Sequence, residues 1–196
     1  MEQSRLLAHP LWVNLLVLVP VALRFASRNK GIQIRGRQLL FAAVFAIAFG
    51  FVEAAAAVYL SAAAGLLPGY TGTLSDVQRL TKTTQGELPP ISQFPPSLIT
   101  IEVVREGATI VMLVSVALVI ATKARERLGV FLWTFAWWDI SYYAGLWGTV
   151  RWPTSLKDLD VLFLIPVPWV AQVWFPLLVS ILTLLAVGLS RRQRTI

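Results

Sequence analysis

The chain contains no cysteine, a single histidine (His9), and charged side chains at only 14% of its 196 positions. Without cysteine there are no disulfides, no thiolate nucleophile, no iron–sulfur cluster and no Cys-type zinc site. One histidine argues against bis-His haem or a His-rich di-iron centre within one chain. Soluble domains carry about 25% charge. Here the low charge accompanies 57% hydrophobic residues and a mean hydropathy of +0.69. The expectation is an all-α fold: one polytopic membrane helical bundle over residues 1–196, with no room for a separate soluble domain.

Five apolar runs are long enough to be read as transmembrane helices, at about residues 6–23, 39–67, 98–122, 128–150 and 161–190. The first holds Pro10, Asn14 and Pro20, so a re-entrant helix there, leaving four spans, stays open. A cleaved signal peptide fits it poorly, because a strongly basic segment follows and no small-x-small cleavage site appears. The third run starts after consecutive prolines near Ser97, which suits a helix start. The fifth is too long for a simple span. Pro166 and Pro168 make its outer end extended or re-entrant, with a helix from about residue 168 to 190. Residues 68–97 form a long Pro-, Thr- and Gly-rich outer loop, of the length typical of lids and binding loops.

The net charge of +7 is unevenly placed. Arg24, Arg28, Lys30, Arg35 and Arg37 fill the first connection, Lys123, Arg125 and Arg127 the third, and Arg191, Arg192 and Arg194 the tail. The positive-inside rule puts these groups in the cytoplasm, the N-terminus outside and the C-terminus inside. The basicity is therefore topological, with some attraction to anionic lipid. It carries no nucleic-acid signal. The bilayer is the first partner expected, with other membrane subunits or a homo-oligomer beside it.

Four carboxylates, Glu53, Glu102, Glu106 and Asp139, interrupt these apolar runs, and only Arg105 is placed to accompany them. A charge at membrane depth costs roughly 2.5–3.5 kcal/mol on insertion scales, so such groups face a bundle interior or a wet cavity. Glu53 lies fourteen residues from either end of its run and Asp139 eleven, which places both centrally. Glu102 and Glu106 lie one to two turns from the outer boundary, so all four can line a cavity open to the outside. Glu102, Arg105 and Glu106 share one helix face at i, i+3 and i+4, as do Asp139, Tyr142 and Tyr143. A carboxylate with phenols one turn away can accept hydrogen bonds, ligate a metal or relay a proton. Such oxygen donors suit a hard cation (Mg, Ca, Mn or Fe). Burial and clustering of carboxyls favour the protonated form instead, the chemistry of a proton relay. Arg105 bridging Glu102 and Glu106 near the headgroups is the purely structural alternative.

Small Ala54 to Ala57 around Glu53 permit close approach of a neighbouring helix. Phe45, Phe49, Gly50, Phe51 and Glu53 match Phe131, Phe135, Ala136, Trp137 and Asp139 at a constant offset, as a duplicated hairpin would. Trp147, Trp152, Trp169 and Trp174 read as an outer aromatic belt, and His9 as an interfacial residue. Asp158 and Asp160 are loop acids that can add to an acidic mouth.

Three blocks, Glu102-Val-Val-Arg-Glu106-Gly-Ala-Thr, Trp138-Asp139-Ile-Ser-Tyr-Tyr143, and Trp152-Pro with Leu162-Phe-Leu-Ile-Pro-Val-Pro-Trp169, resemble a family of small, uncharacterised bacterial multi-pass membrane proteins. The resemblance spans about residues 39–180 and implies a bacterial inner-membrane location without any activity. Three functions stay open. One is a buried, outward-facing carboxylate site for a cation or protons, with transport as its extension. The second is an accessory or assembly subunit of a larger membrane complex. The third is a metal-dependent membrane enzyme on an apolar substrate, with Glu106 or Asp139 as general base.

Overall fold

The structure, a computed structural model, describes residues 6–29, 31–63 and 96–191. A 3-10 helix over Leu11–Val17 runs into α1 (Leu18–Ala26), followed by α2 (Gly36–Ala63), α3 (Pro96–Ile120) and α4 (Ala124–Val150). An antiparallel hairpin of β1 (Leu159–Phe163) and β2 (Trp169–Gln172) precedes α5 (Trp174–Ser190). The outer loop expected at 68–97 lies outside the described residues, except for residues 96 and 97, which open α3 with a proline in its first turn.

The molecule is mostly helical, but the all-α expectation is corrected by the hairpin. Pro166 and Pro168 cannot continue a helix, and the flanking Val161, Phe163, Trp169 and Val170 are strand formers. The last helix therefore begins at Trp174, six residues later than the sequence suggests. Leu159 pairs with Gln172 and Val161 with Val170. The far edge of β2 is taken by His9, whose N–H reaches the Val170 carbonyl at 2.8 Å while the Val170 N–H returns to the His9 carbonyl at 2.7 Å. This exchange anchors the chain ahead of the 3-10 helix.

Two helical stretches, Gly36–Leu60 and Ile99–Ile120, are long and apolar enough to cross a membrane. Leu11–Ala26 and Trp174–Ser190 are apolar but shorter, so two of the five expected spans meet that measure. Much of the apolar surface faces outward: Phe25, Phe41, Val104 and Val111 are all more than 60% exposed, and Val119 is 87% exposed.

The basic segments gather at one end. The N–H of Ile32 donates to the Ser190 carbonyl at 2.8 Å, and the Gln38 amide to the Ile120 carbonyl at 3.4 Å. Ile32 is fully buried and seats against Gly129, tying the α1–α2 connection to the start of α4 and the end of α5. Arg24, Arg28, Arg35, Arg37, Lys123, Arg127 and Arg191 remain exposed around this junction.

Consecutive antiparallel helices usually pack together. Here the most extensive contact instead joins α2 to α4, with α3 touching α2 only slightly. The two helices run parallel: the Trp133 indole donates to the Leu39 carbonyl at 3.0 Å, Gly50 faces Trp138 and Ser141, and Gly145 faces Ala54. Small residues spaced by four on both helices (Gly50 and Ala54, Ser141 and Gly145) let the backbones meet, as small-xxx-small faces do.

A Cβ at Gly50 would overlap the Trp138 carbonyl oxygen and sit 2.8 Å from Ser141 Cβ, whereas one at Gly107 meets nothing within 4 Å. Gly50→Ala is therefore expected to destabilise by about 1–3 kcal/mol through overpacking. Gly107→Ala is expected to gain up to about 1 kcal/mol from helix propensity. Thermal unfolding of the two variants in detergent checks the contrast.

Candidate functional site

Beside the α2–α4 contact, α2, α3, α4, the hairpin and α5 line a cavity of about 240 Å³. The four carboxylates of the apolar runs and the two phenols beside Asp139 line it: Glu53, Glu102, Glu106, Asp139, Tyr142 and Tyr143, together with Arg105. Glu53, Glu106, Asp139 and Tyr143 are buried, whereas Glu102, Arg105 and Tyr142 are half-buried.

The side chains do not pair as helix spacing suggests. Arg105 does not bridge Glu102 to Glu106. It contacts Glu53 Oε2 through Nη1, and holds Glu102 Oε2 through Nε at 3.0 Å and Nη2 at 2.7 Å. Glu53 thus gains a guanidinium from α3, and its other oxygen lies 3.0 Å from the Thr109 hydroxyl. That hydroxyl is also 3.1 Å from the Arg105 carbonyl and has one proton to give to either. Glu106 turns to the hairpin, where the Leu164 N–H donates to its two oxygens at 3.0 and 2.8 Å. The break that Pro166 forces on the chain leaves this backbone donor free for Glu106.

Asp139 accepts from the Ser180 hydroxyl of α5 at 2.8 Å. Tyr143 does not serve Asp139: its hydroxyl donates to Asp160 Oδ2 of β1 at 2.7 Å. Asp160 therefore joins the cavity wall, while Asp158 is consumed in its own loop, accepting from Thr154 N–H, Thr154 hydroxyl and Ser155 N–H at 2.8, 2.9 and 3.1 Å. Burial raises the Asp160 carboxyl above its ordinary value, against opposing hydrogen bonds from the Tyr143 hydroxyl and the Val161 backbone.

Aromatic rings form the rest of the wall. Trp138 stacks with Tyr142 at 6.2 Å between centroids and meets Phe163 at 6.3 Å, and Phe163 meets Trp169 at 5.4 Å. Trp169 lines this cavity and meets Trp12 in a T-shaped contact at 4.8 Å between ring centroids. Trp147 is 55% exposed, with the Arg151 guanidinium 4.5 Å over its ring. The indole N–H groups of Trp138 and Trp169 are buried and have no acceptor among the described residues.

Thr109 and Ser180 join the site without having been singled out in the sequence. Hydroxyl residues inside apolar helices are the signal for them, since such groups hydrogen-bond across helices. Asp160 is legible in the sequence only as a loop acid, which hides its pairing with α4. Five carboxylates (Glu53, Glu102, Glu106, Asp139, Asp160) thus share one cavity with one guanidinium. They are spread around its wall: among the described residues no three His, Cys, Asp or Glu side chains are grouped as a metal site requires. Comparison with protein-family models, curated proteins and solved structures finds no match.

Removing Arg105 strands Glu53, whose side chain is only 6% exposed, without its cation. Arg105→Met is expected to cost on the order of 3 kcal/mol, and Glu53→Gln less, because Arg105 keeps Glu102. Denaturant titration of both variants and their double mutant reads the difference. Asp160 binds its proton more tightly folded than unfolded, so its stabilising contribution is present at low pH and lost as pH rises through the raised value. Asp160→Asn keeps an acceptor for Tyr143. It is expected to melt higher than the parent at about pH 8 and to lose that advantage near about pH 4, where the parent carboxyl is protonated.

Proposed function

We propose that this chain is a multi-pass inner-membrane protein whose five spans carry an outward-facing carboxylate site that binds cations, protons among them, with transport as the extension of binding. The observation that carries this reading is the charge imbalance on one cavity wall: five carboxylates against a single guanidinium already engaged by two of them. Carboxylates held in a low-dielectric interior without cations take up protons, and a cation entering the cavity displaces them.

The rest of the fold supports the orientation. Exposed Lys and Arg side chains collect at the end where α2 and α4 begin and α5 ends, while the acids lie further along the helices, past Gly50 and Trp138. With the basic end in the cytoplasm, the hairpin and cavity lie toward the opposite face. Outward-pointing Val, Leu and Phe side chains on α2 and α3 suit lipid.

The test is cation-driven proton release from purified, weakly buffered protein in detergent, with sodium, potassium, magnesium and tetramethylammonium salts added in turn. Release is expected with at least one of them, falling by about half or more in the Asp139→Asn and Asp160→Asn variants while the fold persists. No release with any of the four, or release untouched by both substitutions, removes the cation-site reading. The second result would favour an accessory-subunit role in which the acids are structural.

A further inference from the structure

Resting on that cation-site reading, we infer that the cavity takes a linear polyamine, an aliphatic chain carrying two or more ammonium groups. Three carboxylates on its wall hold no cation. Glu106 takes the Leu164 N–H, Asp139 the Ser180 hydroxyl and Asp160 the Tyr143 hydroxyl, while Arg105 is shared by Glu53 and Glu102. A carboxylate offers about four lone-pair sites, so each of the three keeps accepting capacity beside its neutral donors.

These acids come from different elements and do not converge. Asp139 stands on α4 against α5, and Asp160 on β1. Leu164, which holds Glu106, follows Asp160 by four residues of largely extended chain, a separation on the order of 10 Å. Among the described residues no three acids are grouped as one metal ion requires. A single inorganic ion cannot gather all three, and it sheds its water reluctantly. A polyamine spreads its charges along a flexible chain and can serve each acid separately.

Two observations beyond the acids favour such a ligand. The first is a pair of open oxygens. Asp139 is only 7% exposed and lines the cavity, yet its Oδ1 accepts from no group among the described residues. The Tyr142 hydroxyl on the same wall is likewise without a hydrogen-bond partner there. Neither oxygen is among the atoms sealed from contact, so both keep surface that an N–H donor can reach. Ammonium groups supply such donors, and their bonds to carboxylates are charge-assisted.

The second is the hydrocarbon of the remaining wall. Phe135, Trp138, Leu162, Phe163 and Val179 line the same cavity. Methylene segments bury against them, and the ammonium ends sit well on ring faces. Size agrees. A cavity of about 150 Å³ takes a benzene ring, so about 240 Å³ suits roughly ten non-hydrogen atoms, as many as spermidine has.

Spermidine is therefore the probe, without being claimed as the natural ligand. Hexaamminecobalt(III) carries the same threefold charge and N–H donors at one point, without a chain. Butylammonium has the hydrocarbon with a single charge. Isothermal titration calorimetry of the full chain in a non-ionic detergent is expected to show spermidine binding at least about tenfold tighter than either. Glu106→Gln, Asp139→Asn and Asp160→Asn are each expected to weaken spermidine by about fivefold or more. Glu126→Gln, in the first turn of α4 and outside the cavity, is expected to leave it within about twofold. Circular dichroism checks each variant's fold, and the ligand series on the parent protein stands even where a variant does not fold.

Hexaamminecobalt(III) binding as tightly as spermidine would overturn the inference and leave a cation site of another kind. No spermidine binding, with cation-driven proton release intact, would overturn the inference alone. Spermidine binding untouched by all three cavity substitutions would put it elsewhere on the protein and overturn the inference as well. Absence of both spermidine binding and proton release would remove the underlying cation reading with it.

Discussion

The close approach of α2 and α4 at Gly50, Ala54, Ser141 and Gly145 is the constraint on which the rest of this structure depends. Two helices whose backbones nearly touch cannot slide or rotate independently, because packed interfaces yield little to small displacements. That contact fixes Glu53 of α2 and Asp139 of α4 within about a turn of each other along a shared axis. It also leaves α3, the hairpin and α5 to close the remaining sides. With bulky residues at these four positions the helices would separate and the carboxylates would lose their enclosing wall. The cavity lies on the flank of this pair, where α3, the hairpin and α5 close it.

Around that frame, each buried acid receives a donor from a different element. Glu53 is served from α3, Glu106 from the hairpin, Asp139 from α5, and Asp160 from α4. Such reciprocal pairing links five elements through polar contacts where apolar packing alone would be poorly directional. It also divides the acids by charge balance. Glu53 and Glu102 share one guanidinium, whereas Glu106, Asp139 and Asp160 hold only neutral donors. The cation-binding chemistry proposed for the cavity follows from that imbalance.

The site is legible in outline from the sequence because charge inside long apolar runs is rare enough for each instance to stand out. Glu53, Glu102, Glu106 and Asp139 are conspicuous from their apolar surroundings alone, and all of them line one cavity. Their partners are not legible in that way. Helical spacing puts Glu106 a single step from Arg105, yet Arg105 spans to α2 and Glu106 bonds a backbone N–H 58 residues away. The same spacing puts Tyr143 one turn from Asp139, yet its hydroxyl reaches β1. Local periodicity states which residues share a face. It is silent on whether a neighbour on that face or a group on another element offers the better geometry.

What the sequence determined alone is set by composition and period: long apolar runs, a mostly helical chain, basic residues at alternate connections and buried acids that need an interior. These are properties of short stretches and survive any arrangement of the helices. Only the tertiary structure decided that α2 packs on α4 and not on its chain neighbour α3, that prolines turn the start of the last run into a hairpin, and that Asp160 joins the cavity. Those outcomes depend on which small-residue faces meet and where the freed backbone groups find partners. The reason is physical: close packing and hydrogen bonding are relations between distant segments, and no single stretch of chain contains both halves of them.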